Sequence, residues 1–306
     1  MVMVLQASSE PPASASVDAW RSWIRELIGS GQFSRRLLSW VCVREGYFLK
    51  IPRVHGEIEA DLRDGAAEAE REYRLTRQLA EQLDDMVDPP LHLIEGCIVK
   101  RRLTGADLWA LARREGATPR VRTAIIHGLK LAARLHLLAP DAVPALPIHD
   151  YSSDPYLPAP ERLRGRLRRR PRTIVITGLE VRNFKEACAG GPWRFFDPHD
   201  AVLGAPEDDV ARYILSLLMV TWGRHADCRI WSRFDYGELI RAYEAERGAL
   251  LDGELLAYMF QRNIAMRRCQ VRGSTRDLPW VMQVAARAYE ALFFWQVGLW
   301  GSRHGL

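Results

Sequence analysis

IVITGLEVRNFKEACAGGPWRFFDPHDA, residues 174–201, is the stretch on which the fold turns. Two short apolar runs, IVIT (174–177) and WRFF (193–196), flank a turn carrying Ala189, Gly190, Gly191 and Pro192. That pattern predicts small strands joined by tight turns. Asn183 follows the first run and Asp197 the second. From Asp208 onward the pattern is helical to the end of the chain, so the stretch is a small hairpin set into a helical region.

Upstream, the composition changes. LLSWVCVREGYFLKI (37–51) is rich in β-branched and aromatic residues and predicts a two-stranded hairpin broken at Glu45-Gly46-Tyr47. AAEAEREYRLTRQLAEQLDDM (66–86) predicts a helix with Tyr73, Leu75, Leu79, Leu83 and Met86 as its apolar recurrence. Short strands return in DPPLHLIEGCIVKRRL, and a long amphipathic helix is expected at 120–138. A strand-rich first third with one helix, followed by a helical remainder, is a bilobal α+β plan. The expected division is a disordered leader over 1–18, a β-rich lobe over 19–103 and a helical lobe over 104–306.

The chain has 306 residues, 48% of them apolar, and can bury a substantial core. A net charge of +5 favours anionic ligands without demanding nucleic acid. Five scattered cysteines without CxxC spacing argue against a zinc site or disulfide framework and for a reducing compartment. The first 18 residues lack a basic region followed by an apolar one, so no secretory signal is expected. No uninterrupted run of 18 apolar residues suggests a membrane span.

Several positions carry candidate chemistry. Gly29 and Gly31 lie in Gly-Ser-Gly-Gln-Phe-Ser (29–34), where glycines let backbone N–H groups approach a phosphate; any tight turn gives the same pattern. It is not a Walker loop, because no Lys-Ser/Thr follows. Lys50 lies on the next apolar strand, where its amine could reach phosphates. A helical carboxylate could hold that ammonium. The phase of Leu75 and Leu79 favours Glu72 over Glu68 and Glu70.

Taken in order, LIGSGQFSRR (27–36), YFLKI (47–51), TGLEVRNFK (177–185) and RFFDPHDA (194–201) resemble the protein-kinase-like superfamily, nearest to its aminoglycoside and lipopolysaccharide-core kinases. The resemblance covers about residues 25 to 220. It implies ATP as cofactor, with Gly29, Gly31, Lys50 and Glu72 on the nucleotide and Asn183 and Asp197 holding Mg2+. It further implies a hinge within CIVKRRLTGADL (97–108), a packed histidine at His136 and a bracing acid at Asp209.

One part of the pattern is missing. The superfamily places a catalytic Asp five residues before the Asn, and here that residue is Gly178. Glu180 is the nearby carboxylate that could serve as base. Seven arginines in RLRGRLRRRPR (162–172) suggest a patch for an anionic small-molecule or glycan acceptor; without interleaved aromatics, nucleic acid is disfavoured. The aromatic helix WVMQVAARAYEALFFWQVGLW (280–300) is expected to bury against the helical lobe, with a peripheral membrane or dimer contact as the alternative. The functions left are an ATP-dependent phosphotransferase acting on a hydroxyl of a small molecule or envelope glycan, a pseudokinase that binds nucleotide or a partner without turnover, and an unrelated α+β protein. The expected location is the cytoplasm, or the inner face of its membrane.

Overall fold

The computed structural model describes residues 11, 14–36, 38–44, 46–143, 146–225, 234–276 and 279–306. Most of the expected leader, and Cys228, lie outside the described residues. The chain divides into two compact units, one of residues up to Glu81 with Asp88–Thr104, the other of Gln82–Val87 with Gly105–Leu306.

The first unit opens with a helix, α1 (Val17–Gly29), so the leader reading over 1–18 is corrected at its end. Ser16 caps it, its hydroxyl accepting from the Ala19 N–H at 3.3 Å. Trp20, Trp23, Ile24 and Leu27 recur at helical spacing and bury one face. That face packs on a five-stranded antiparallel sheet of β1 (Ser34–Arg35), β2 (Ser39–Val43), β3 (Tyr47–Pro52), β4 (Pro90–Ile94) and β5 (Cys97–Arg101), in the order β1-β2-β3-β5-β4. Tyr47, Leu49, Ile51 and Val99 supply the sheet side of this core. The Trp20 ring stands edge-on to Tyr47, with centroids 4.9 Å apart.

Two helices, α2 (Ile58–Asp64) and α3 (Ala66–Leu83), follow β3. The loop between β3 and α2 is organised by Asp61, which is buried and accepts from the N–H groups of Val54 and Gly56 at 2.9 and 3.0 Å and from the Trp40 indole at 2.8 Å.

The second unit is mostly helical: α4 (Leu108–Glu115), α5 (Pro119–Leu135), α6 (Glu161–Arg169), α7 (Pro206–His225), α8 (Tyr236–Arg247), α9 (Gly253–Thr275) and α10 (Trp280–Arg303). Two small antiparallel ribbons are set among the helices. β6 (Thr173–Ile176) pairs with β9 (Ala201–Gly204), and β7 (Phe184–Glu186) with β8 (Trp193–Phe195).

The expected burial of the aromatic C-terminal helix holds for one face only. Phe293, Phe294 and Val297 of α10 are buried, whereas Val281, Val284, Leu292, Trp295 and Leu299 stand exposed on another. Among the described residues no helix is long and apolar enough to cross a membrane.

Candidate active site

In the first unit, Lys50 lies on β3 between Val41 of β2 and Ile98 of β5, so its side chain leaves the middle of the sheet. Its ammonium bonds both carboxylate oxygens of Glu72 on α3, at 2.8 and 2.9 Å. Both side chains are almost fully buried, at 3% and 4% exposure. Glu68 and Glu70 are exposed, and Glu70 pairs with Arg74 along its own helix. The apolar phase of α3 decides between the three acids, because only Glu72 sits beside the buried stripe.

Gly29 and Gly31 do not form a phosphate loop between strands; this is a correction. Gly29 is the last residue of α1, and Gly31, at φ 69°, is the left-handed residue that stops it. Gln32 donates to the Leu27 carbonyl and Gly31 to that of Ile28, each at 3.0 Å, which satisfies the carbonyls of the last helical turn. Residues 36–38, which separate β1 from β2 in the sequence, contain no glycine, and the Arg36 N–H donates to the Ser39 carbonyl at 2.8 Å.

In the second unit, β6 runs into the loop 177–183, which is pinned from three sides. Asp209, near the start of α7, accepts from the Ile176 N–H at 3.0 Å. Arg212 donates to the Thr177 carbonyl at 2.7 Å, and Thr177 N–H reaches the Asp200 carbonyl at 2.9 Å. Asp209 is fully buried, and burial pushes its pKa up despite His136 at 3.2 Å. His136 is packed, its other ring nitrogen 2.6 Å from the Tyr243 hydroxyl. The neighbouring Asp208 turns the other way. Burial alone would raise its pKa, but Arg262, Arg212 and the Asn263 amide hold it below the ordinary range. Arg262 and Asn263 lie far along the chain on α9, and no local sequence pattern marks them.

The side-chain nitrogen of Asn183 donates to the Gly178 carbonyl at 2.7 Å, and the Asn183 backbone carbonyl accepts from the Phe196 N–H at 3.0 Å. This ties the loop to the segment carrying Asp197, whose carboxylate meets His199 at 2.9 Å. Gly178 is confined: a β-carbon there would lie 2.7 Å from the Asp197 carbonyl oxygen and 3.5 Å from the Asn183 side chain. Glu180 is buried, with one oxygen on Arg267 and the other 2.7 Å from Arg182.

The donor set suits a hard divalent cation. The Asn183 nitrogen is engaged, which leaves its amide oxygen to coordinate, and the Asp197 carboxylate is partly exposed. An amide oxygen and one carboxylate, completed by water and phosphate, is a set that Mg2+ accepts.

Solved structures share the fold of this chain. APH(2'')-IIIa, in its GDP and kanamycin complex, superposes with a TM-score of 0.56 at 13% identity, covering 85% of this chain and 91% of that one. Amicoumacin kinase hAmiN, with AMP-PNP, Ca2+ and Ami, gives 0.55 at 14% identity over 86% and 88%. Aminoglycoside phosphotransferase APH(3'')-Id from Streptomyces rimosus gives 0.50 at 15% identity over 82% and 98%. The fold is that of the aminoglycoside phosphotransferases. It is the bilobal α+β class expected from the sequence, with the five-stranded sheet in its first part and the helices in its second. No family model and no curated protein matches the chain. Gly178, at the residue expected from the sequence to be an Asp, stands five positions before Asn183 in this loop.

Proposed function

We propose that the chain is a kinase-like protein that binds ATP with a divalent cation and does not transfer the phosphoryl group to an acceptor. Lys50, held by Glu72, contacts phosphate, and Asn183 and Asp197 hold Mg2+. Mg2+ when bound neutralises phosphate charge; the chain's own residues supply the orientation. Gly178 carries the reading. It replaces the expected base, and its surroundings leave no ordinary room for a side chain. Glu180 does not fill the vacancy, because accepting a hydroxyl proton needs a free oxygen and both of its oxygens face guanidinium groups. We place the protein in the cytoplasm, where free cysteines such as Cys42 and Cys97 persist.

One observation favours a second reading, a base-free phosphotransferase acting on a hydroxyl of a small molecule or envelope glycan. The Lys50–Glu72 pair is intact, and kinase-type transfer rests mainly on positioning and charge stabilisation.

Titration calorimetry with ATP and Mg2+, followed by ADP-release assays over aminoglycosides, macrolides and hexoses, tests both. The first reading expects binding without acceptor-dependent ADP release. Lys50→Ala weakens binding with or without metal, and Asp197→Ala removes its Mg2+-dependent part. Acceptor-dependent release establishes the second reading against the first, and absence of nucleotide binding removes both.

A further inference from the structure

The seven arginines of α6 and its link into β6 do not share one environment. Arg164 pairs with Glu161 at 2.7 Å, Arg166 with Asp252 at 3.1 Å, and Arg170 with Glu207. Arg162, Arg168, Arg169 and Arg172 are exposed, and none of them meets a carboxylate among the described residues. Of these four, Arg168 and Arg172 line a cavity of about 350 Å³, together with the tethered Arg164 and Arg170. Arg162 and Arg169 lie outside it.

The remaining wall comes from Leu167 and residues 148–152 and 203–205, so the cavity sits at the end of the β6–β9 ribbon where Thr173 faces Gly204. Loop 177–183 leaves the opposite end, where Ile176 faces Ala201. Three residue steps along the strand, about 10 Å, separate them. The cavity is therefore distinct from the loop that carries Asn183.

Its chemistry is specific. Two guanidinium groups without carboxylate partners, beside two tethered ones, concentrate positive charge that a dianionic phosphate would neutralise with paired N–H···O bonds. Asp150 is the opposing charge on the wall. Bonds from Ser152 and Ser153 hold its pKa down to about 2, so it remains an ionised acceptor. An ionised acceptor beside a phosphate subsite suits a ligand that also carries hydroxyl groups. The volume matches a small molecule rather than a polymer.

We propose that this cavity is a second ligand site, taking a phosphate monoester on a hydroxyl-rich body, with Arg168 and Arg172 on the phosphate and Asp150 accepting from a hydroxyl. The phosphate can come from a soluble sugar phosphate or from a phosphoinositide headgroup. Both present the same group.

The test uses the full chain with three probes: inorganic phosphate, glucose 6-phosphate, and phosphatidylcholine vesicles containing phosphatidylinositol 4-phosphate. Calorimetry on the soluble probes should show glucose 6-phosphate binding more tightly than inorganic phosphate. The double variant R168A/R172A should weaken it at least about tenfold. The control R162A/R169A, which loses the same charge outside the cavity, should stay within about twofold. Vesicle binding with the same variant pattern supports the site with a lipid as the phosphate source. ATP affinity should be unchanged in R168A/R172A. The proposal is overturned if the wild-type chain binds no phosphate probe, if both double variants lose equally, or if R168A/R172A loses ATP to the same extent.

Discussion

The carbonyl oxygen of Asp197 lies 2.7 Å from where a β-carbon on Gly178 would stand, closer than backbone and side chain normally approach. The glycine that stands where the sequence leads one to expect a base is thus also what lets loop 177–183 and the Asp197 segment close on each other.

Restoring the acid should therefore fail. Gly178→Ala is expected to destabilise the protein by about 1–3 kcal/mol, as an overpacked contact against backbone does. Gly178→Asp should lose at least as much and gain no acceptor-dependent turnover. Urea unfolding midpoints and ADP release check both; a Gly178→Ala protein as stable as the parent would show that the loop has slack.

The Lys50–Glu72 pair predicts an asymmetric response. Lys50→Met or Glu72→Leu alone leaves one buried charge without its partner, a loss of about 3–5 kcal/mol. The double variant removes both charges and should recover much of that loss while failing to bind ATP. Denaturant melts of the four proteins complete the cycle, and additive losses would exclude a direct coupling.

Glu180→Gln separates a base from a brace. A general base is typically worth about 10²–10⁴-fold in rate. With both oxygens of Glu180 on arginines, the variant should lower the melting temperature, keep ATP affinity, and change any measurable turnover by less than about tenfold. A rate loss of a hundredfold or more at unchanged stability would restore the base role.

Asp61 gives the β-rich unit an acid limit. Burial acts to raise its pKa, but the N–H groups of residues 54–56 and the Trp40 indole bring it down to about 2, from an unfolded value near 3.8. A depressed carboxylate stabilises the fold above its unfolded pKa and loses that contribution as pH falls through the folded one. Urea midpoints should therefore decline between about pH 4 and pH 2 in the parent, and Asp61→Asn should flatten that part of the profile while lowering stability at neutral pH.

Much of this was readable in the residues where one period dominates. Strands 39–43 and 47–52 pair with Val43 opposite Phe48, and the apolar phase of α3 singles out Glu72 from its neighbours. The glycines misled because Gly-x-Gly specifies only a left-handed turn, and a helix stop satisfies it as well as a phosphate loop does. The signal that would have corrected this was present: Ser16 as a cap, then Trp20, Trp23, Ile24 and Leu27 at helical spacing. The ties from Asp208 to Arg262 and Asn263 were not readable, since they join α7 to α9 without a local motif.

Helix α1 also fixes where this chain tolerates being cut. Ser16 holds its first turn, and four side chains of the helix cover the sheet carrying Lys50. A version started at the first strand would present Tyr47, Leu49 and Ile51 to water and should be recovered as aggregate. Any shortened version of the protein therefore has to keep Ser16 and the four covering side chains.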